Sequence, residues 1–195
     1  MKKNTMIAVV LSLIMLVAAA VVAQSASDPN SAQSEPTIRT VPAQTVLYTI
    51  VRGHYQKTGQ AVGALYALAG QKNLRPMGPP TYIYLNNPNR VSSEHWLTEI
   101  RIPVSEDALK LAGTLGDMTD VKQIPAVTVA VAVKPEGMAD PAPIYGEIYT
   151  WAYKNGYQVV DSPSEVFLTN AVGGDYAQMK SEIMMPVEKA SGCTK

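Results

Sequence analysis

Two stretches, TEIRIPV (Thr98 to Val104) and SEIMMPV (Ser181 to Val187), each hold a glutamate, Glu99 or Glu182, in a largely apolar strand ending Pro-Val. Each follows a proline-led strand with aromatic residues, PTYIYLN from Pro80 and PSEVFLT from Pro163. A carboxylate among aromatic rings loses hydration, so its charge is favoured when a cation or hydrogen-bond donors arrive, and the ring faces add cation–π attraction. That is recognition chemistry for a flat or cationic organic molecule. Strand alternation puts Tyr82 and Tyr84 on one face of the first copy and Glu165 and Phe167 on the matching face of the second. Ile83, Leu85, Val166 and Leu168 lie opposite and are expected to meet helices. Tyr82, Tyr84, Glu165 and Phe167 are then expected to face a groove, in the same direction as Glu99 and Glu182. The plainer alternative is solvated surface pairing, of Glu99 with Arg101 and of Glu182 with Lys180.

Further along, the segment IYGEIYTWAY places Tyr149 as another candidate wall, while Trp151 shares a stripe with Ile144 and Ile148 that reads as core. Other chemistries lack their motifs. His54, His95 and Cys193 stand far apart without metal-ligand spacing, and there is no G-x-S-x-G elbow, phosphate loop or H-E-x-x-H. No metal and no cofactor are expected. The charges balance at 16 Lys+Arg against 16 Asp+Glu, with no cluster of like charge, so the basic footprint of a nucleic-acid binder is missing.

The elements that must position these residues are duplicated. At an offset of 83 residues, Pro80–Val104 aligns without a gap on Pro163–Val187, with seven of 25 positions identical, among them Glu99/Glu182 and Pro103/Pro186. The spacing predicts a strand in QTVLYTIV (Gln44 to Val51), a helix in YQKTGQAVGALYALAGQKN, a strand in TYIYLN and a longer strand in HWLTEIRIPV. The second copy repeats the series with AVTVAVAV, PIYGEIYTWAYKNGY, SEVFLTN and YAQMKSEIMMPV, its helix stopped by Asn155-Gly156. Between them, SEDALKLAGTLG predicts a short helix with Ser105 as N-cap. The expected class is α+β: two tandem β-α-β-β modules, 41–104 and 117–188, related by a pseudo-two-fold and enclosing a ligand groove within a domain spanning 41–190.

The N-terminus reads differently. Lys2 and Lys3 precede an apolar run from Met6 to Ala23 that ends in small residues, the form of a secretory signal covering residues 1–23. Its length is also at the lower edge of a membrane span, so release and retention through residues 6–23 both stay open, each facing the outside of the cytoplasmic membrane. Residues 24–40 read as a flexible linker. With Cys193 the only cysteine, no intrachain disulfide forms.

GPPTYIYLNN leading to TEIRIPV, and NGYQVVDSPSEVFLTN leading to SEIMMPV, resemble the GyrI-like small-molecule binding domain, the effector-binding part of AraC-type and MerR-type multidrug regulators. The resemblance covers about Val41 to Lys189. It implies a groove between the modules, lined by aromatic rings, with a glutamate on the last strand of the second module facing organic cations, here Glu182. It also implies a SOUL-like fold, though neither histidine suggests haem ligation. No helix-turn-helix segment accompanies the domain. The resemblance leaves three functions: an exported binder of apolar, aromatic or cationic small molecules; a hydrolase of strained cyclopropane-type electrophiles using Glu182 and Tyr84; or an exported protein-interaction scaffold.

Overall fold

The structure, a computed structural model, describes residues 35–169 and 175–190. Nine strands are described: β1 (Thr37–Val41), β2 (Gln44–Arg52), β3 (Thr81–Tyr84), β4 (Leu97–Val104), β5 (Thr119–Ile124), β6 (Val127–Lys134), β7 (Tyr157–Val159), β8 (Ser164–Phe167) and β9 (Ser181–Lys189). Two helices, α1 (Thr58–Gln71) and α2 (Ala142–Lys154), join them. The strand order is β1-β6-β9-β8-β3-β4-β2-β5, with β7 added on β9, and every pairing is antiparallel.

The β-branched runs of β2 and β6 suit extended backbone whose side chains pack on a pleated surface. Each helix presents one apolar stripe: Leu65 and Ala69 of α1 are buried against Leu47, Tyr82, Ile100 and Ile102, and Ile144, Ile148 and Ala152 of α2 against Ala130, Ala132, Ile183 and Met185. Cross-strand partners share a face. Ile100 pairs with Tyr82, Tyr82 with Glu165, Glu165 with Ile183 and Ile183 with Ala132. Both helices therefore cover one side of the sheet. α2 ends at Lys154, and Gly156 takes the left-handed conformation (φ 71°) that the chain needs to turn into β7.

The opposite side carries Val129, Val131, Val166 and Met184. Residues of β1 at one edge and of β2 near the other line one shared cavity of about 800 Å³ on that side, together with Thr81, Pro103, Val166 and Glu182. A sheet whose distant strands meet around one hollow is curled, and the fold is a curled antiparallel sheet with few helices.

Several expectations change. Glu35 already accepts from Trp151 Nε1 at 2.9 Å, and Thr37–Val41 pairs with Val127–Val131, so the linker expected through residue 40 ends earlier. The short helix after Ser105 is a 3-10 segment, Glu106–Leu111, and Ser105 donates to the Asp107 carboxylate instead of capping backbone N–H groups. β5, which opens the expected second module, pairs with β2 and so lies on the edge of the first half. The apolar run 6–23 lies outside the described residues. Among the described residues, no helix is long and apolar enough to cross a membrane.

Candidate functional site

The expected facing of the central strands is inverted. Tyr82, Tyr84, Glu165 and Phe167 point to the helix side, whereas Glu99 and Glu182 lie on the helix-free side, with Ile83 and Val166. The reason is the stripe on β9: Ile183, Met185 and Val187 bury under α2, which sends the alternate residues Glu182, Met184 and Pro186 to the other face. On β4, Ile100, Ile102 and Val104 do the same to Glu99.

On the helix side, Glu165 is almost completely buried, at 1% exposure. Three hydroxyls donate to it: Tyr84 to Oε2 at 2.6 Å, and Tyr176 (3.0 Å) and Ser181 (2.5 Å) to Oε1. The positions follow from the sheet. Glu165 lies opposite Tyr82 across β3 and β8, Tyr84 is two residues further along β3, and Ser181 begins β9 opposite Phe167. Tyr176 arrives from a 3-10 turn, Tyr176–Gln178, capped by the Asp175 carboxylate on the Ala177 N–H. Charge-assisted bonds of this kind satisfy a carboxylate that burial alone would disfavour.

Aromatic rings surround this carboxylate. Tyr82 meets Phe167 edge-on at 5.0 Å, Phe167 meets Tyr176 at 6.1 Å, and Tyr55 meets Tyr84 at 5.4 Å. Tyr55 stacks on Trp96 at 4.4 Å, with His54 beyond at 5.3 Å from that indole. Tyr145 of α2 lies within electrostatic reach of Glu165, Tyr55, Tyr84 and Tyr176. Burial first, then the charge on Glu165, push the phenols of Tyr84, Tyr145 and Tyr176 well above their ordinary range. Tyr82 is raised to about 12 by burial, then by Tyr66 and Glu165. These phenols stay protonated, as donors.

Lys134, at the end of β6, is fully buried beneath the same turn. Its Nζ donates to the carbonyls of Met179 (2.5 Å), Tyr176 (3.1 Å) and Pro135 (3.4 Å) and lies 4.5 Å from the Tyr176 ring centroid. Burial lowers its pKa, against the opposing pull of Glu165, Asp175 and Glu136.

The other candidates are occupied elsewhere. Glu182 takes both guanidinium nitrogens of Arg39, at 3.2 and 2.5 Å, so its partner is Arg39 of β1 and not Lys180. Glu99 is buried, bound by Arg101 at 2.5 Å and Lys122 at 2.7 Å, so the expected pair with Arg101 forms and gains a second cation. Tyr149 stands half exposed on α2, one turn beyond Tyr145. Thus Tyr82, Tyr84, Glu165 and Phe167 come together, and Glu182, Glu99 and Tyr149 do not join them. Sequence reasoning passed over Tyr176, Ser181, Tyr145 and Lys134. Asking which stripe of SEIMMPV is the more apolar would have turned the strand and exposed Glu165. Among the described residues, no group of His, Cys, Asp and Glu could hold a metal ion.

The site is thus a buried carboxylate beneath aromatic rings, on the side of a curled antiparallel sheet that two helices cover. The model of the GyrI-like small molecule binding domain matches residues 15–105 of the chain. No curated protein matches by sequence. The crystal structure of the EcmrR C-terminal domain is similar, with a TM-score of 0.64 and 17% identity, covering 82% of this chain and 99% of that one. In the EcmrR complex with DNA the chain spans 57% of its relative's length. An uncharacterized conserved protein from Listeria innocua (TM-score 0.61, 14% identity, 79% and 92% covered) and a hydrolase from the same organism (0.56, 13%, 79% and 92%) share the fold. Identities this low speak to the fold alone.

Proposed function

We propose that the chain binds an apolar, aromatic or cationic small molecule on the helix side of the sheet, between α1 and α2, with Glu165 as the polar anchor. The observation that carries this is the pair of phenols, Tyr84 and Tyr176, held on a buried carboxylate below the partly exposed rings of Tyr55, Trp96 and Tyr145. A ligand that brings a positive charge or a hydrogen-bond donor exchanges with one phenol, and the rings remain as walls. In this reading the anchor is Glu165 and not Glu182, whose carboxylate is held by Arg39.

A tandem-module reading of the chain supports the site's position. With a shift of 83 residues, β2, α1, β3 and β4 fall on β6, α2, β8 and β9, and the β2–β4 and β3–β4 registers fall on β6–β9 and β8–β9. Tyr82 and Glu165, equivalent under that shift, pair with each other. The carboxylate thus stands where a pseudo-two-fold would pass, on the surface that both helices flank. Export or anchoring through residues 6–23 belongs to the same proposal, supported by Lys2, Lys3 and the apolar run.

Titration with rhodamine 6G, a lipophilic aromatic cation, tests the site through Trp96 fluorescence. Glu165→Gln is expected to weaken binding at least about tenfold, the scale of one charge-assisted contact, and Glu182→Gln to leave it unchanged. Equal affinity of the parent and Glu165→Gln sinks the assignment.

A second reading is favoured by the short Tyr84–Glu165 contact, which joins a base and a phenol within proton-transfer reach. It is a hydrolase of strained electrophiles in which Glu165, in place of Glu182, activates water.

A further inference from the structure

Tyr176 reaches Glu165 from a turn of three residues, which has no core of its own. What holds it is a set of contacts to one buried ammonium. Lys134 Nζ donates to the carbonyl of the first turn residue, Tyr176, and to that of Met179, the residue just past it, and at the same time to Pro135 at the end of its own strand. The Gly137 N–H adds a bond to the Ala177 carbonyl at 2.7 Å. Few arrangements justify burying an ammonium, since desolvation is costly unless every donor is used. Here its three protons face three carbonyls, and no carboxylate among the described residues lies within ion-pair distance. The position equivalent under the 83-residue shift is Val51, an ordinary strand residue that packs against the core of the first half. A lysine is therefore not required to build this strand end, and the second half uses it for something the first half lacks. That is the turn bearing Tyr176.

We infer that Lys134 is a positioning residue: it seats the turn 175–179 over the sheet so that the Tyr176 phenol meets Glu165, and it thereby shapes the binding site proposed above. The inference rests on that site for its functional meaning, but its geometry can be read without any ligand.

The charged and titratable groups around the Tyr176 phenol are Glu165 on β8, Tyr84 on β3, Lys134 on β6, Tyr145 on α2, Asp140 just before α2 and Asp175 on its own turn. Replacing Lys134 by Met removes a positive charge. If Lys134 acted only through its charge, the Tyr176 phenol would become still harder to ionise. If it seats the turn, its loss lets Tyr176 leave Glu165, and the phenol falls back toward about 10, the ordinary tyrosine value. The two roles predict opposite signs.

The experiment is a titration of tyrosine Cζ resonances by NMR, from about pH 7 to about pH 11, in full-length parent and Lys134→Met, with Tyr176→Phe to assign the signal. The expected result is that Tyr176 is silent across this range in the parent and titrates in the variant, while Tyr84 stays silent in both. Exchange of the Gly137 amide should rise at least about a hundredfold, with β9 amides unchanged, as for local opening. A folded Lys134→Met in which Tyr176 remains silent overturns the inference, and so does loss of protection throughout the sheet. Should Lys134→Met not fold, Lys134→Gln is read by the same signals, and failure of both variants to fold overturns the positioning role in favour of a core requirement. Rhodamine 6G binding is measured separately. Absence of binding by the parent refutes the ligand site while leaving the Tyr176 titration to decide on Lys134.

Discussion

Tyr84 and Tyr176, one on the third strand and one on the turn before the last, put their hydroxyls on the two different oxygens of Glu165. The carboxylate is thus closed from both sides by phenols of opposite halves of the sheet, and Ser181 fills a third acceptor position from below. A group with this many donors cannot be removed without orphaning them.

Glu165→Ala is expected to destabilise the protein by about 3 kcal/mol, the scale of leaving buried polar partners unsatisfied, and Glu165→Gln by less, because the amide keeps an acceptor. Urea unfolding followed by circular dichroism measures both. A loss under about 1 kcal/mol for the alanine variant would show that the three hydroxyls find other partners easily.

Thr98 and Ser181 occupy equivalent positions in the two halves, yet only Ser181 is used. Among the described residues, the Thr98 hydroxyl is the buried side-chain group without a hydrogen-bond partner. Burying an unpartnered hydroxyl is unfavourable, and valine has nearly the same shape. Thr98→Val should therefore leave stability unchanged or raise it by about 1 kcal/mol, whereas Ser181→Ala should lower it by about 1 kcal/mol or more. If both variants lose stability alike, the Thr98 hydroxyl has a partner in solution.

Much of the fold was legible in the chain. Alternation and β-branched runs marked the strands, and Leu65, Ile144 and Ile148 marked their buried stripes through helical spacing. The site was half legible. Period-two alternation correctly grouped Tyr82, Tyr84, Glu165 and Phe167, because sharing a face is a local property of a strand. Which face meets the helices is a tertiary property. It was decided by Ile183, Met185 and Val187 of β9, whose burial outweighs that of the shorter Ile83 and Val166 set, and it puts Glu182 on the face opposite Glu165. Arg39 was invisible as a partner because its strand looked like linker. Lys134 and Tyr176 meet only through a turn that has no periodicity to read.

The raised phenols make stability depend on pH at the alkaline end. For a group whose folded pKa lies above its unfolded value, the contribution is fully present below the unfolded value and is lost as pH rises toward the folded one. Tyr82, raised to about 12, and Tyr84, Tyr145 and Tyr176, each raised by burial and then by Glu165, all act in this direction. The melting temperature is expected to decline above about pH 10, where unfolded tyrosines begin to ionise, and the decline should be shallower in Tyr176→Phe. Calorimetry across that range decides. A slope identical in parent and variant would mean that Tyr176 ionises freely in the folded protein.

Binding and hydrolysis place different demands on Tyr84 and Glu165. A binder uses the carboxylate as a charge, and the phenol as a ring with a replaceable donor. Glu165→Gln then weakens cations and spares neutral aromatics, and Tyr84→Phe costs little because the ring wall remains. A hydrolase needs the carboxylate to take a proton from water within about 3 Å of the scissile atom, and a phenol to donate to the opening bond, so either substitution removes an interaction made only in the transition state. Turnover would fall at least about a hundredfold while substrate affinity was kept. The resting geometry favours binding, since Tyr84, Tyr176 and Ser181 all donate to the carboxylate and leave it little capacity to accept a proton from water. Incubation with a cyclopropane-bearing electrophile, followed by mass spectrometry, is expected to show no ring opening above the uncatalysed rate. Ring opening that disappears in both Glu165→Gln and Tyr84→Phe, with binding retained, would establish the hydrolase instead.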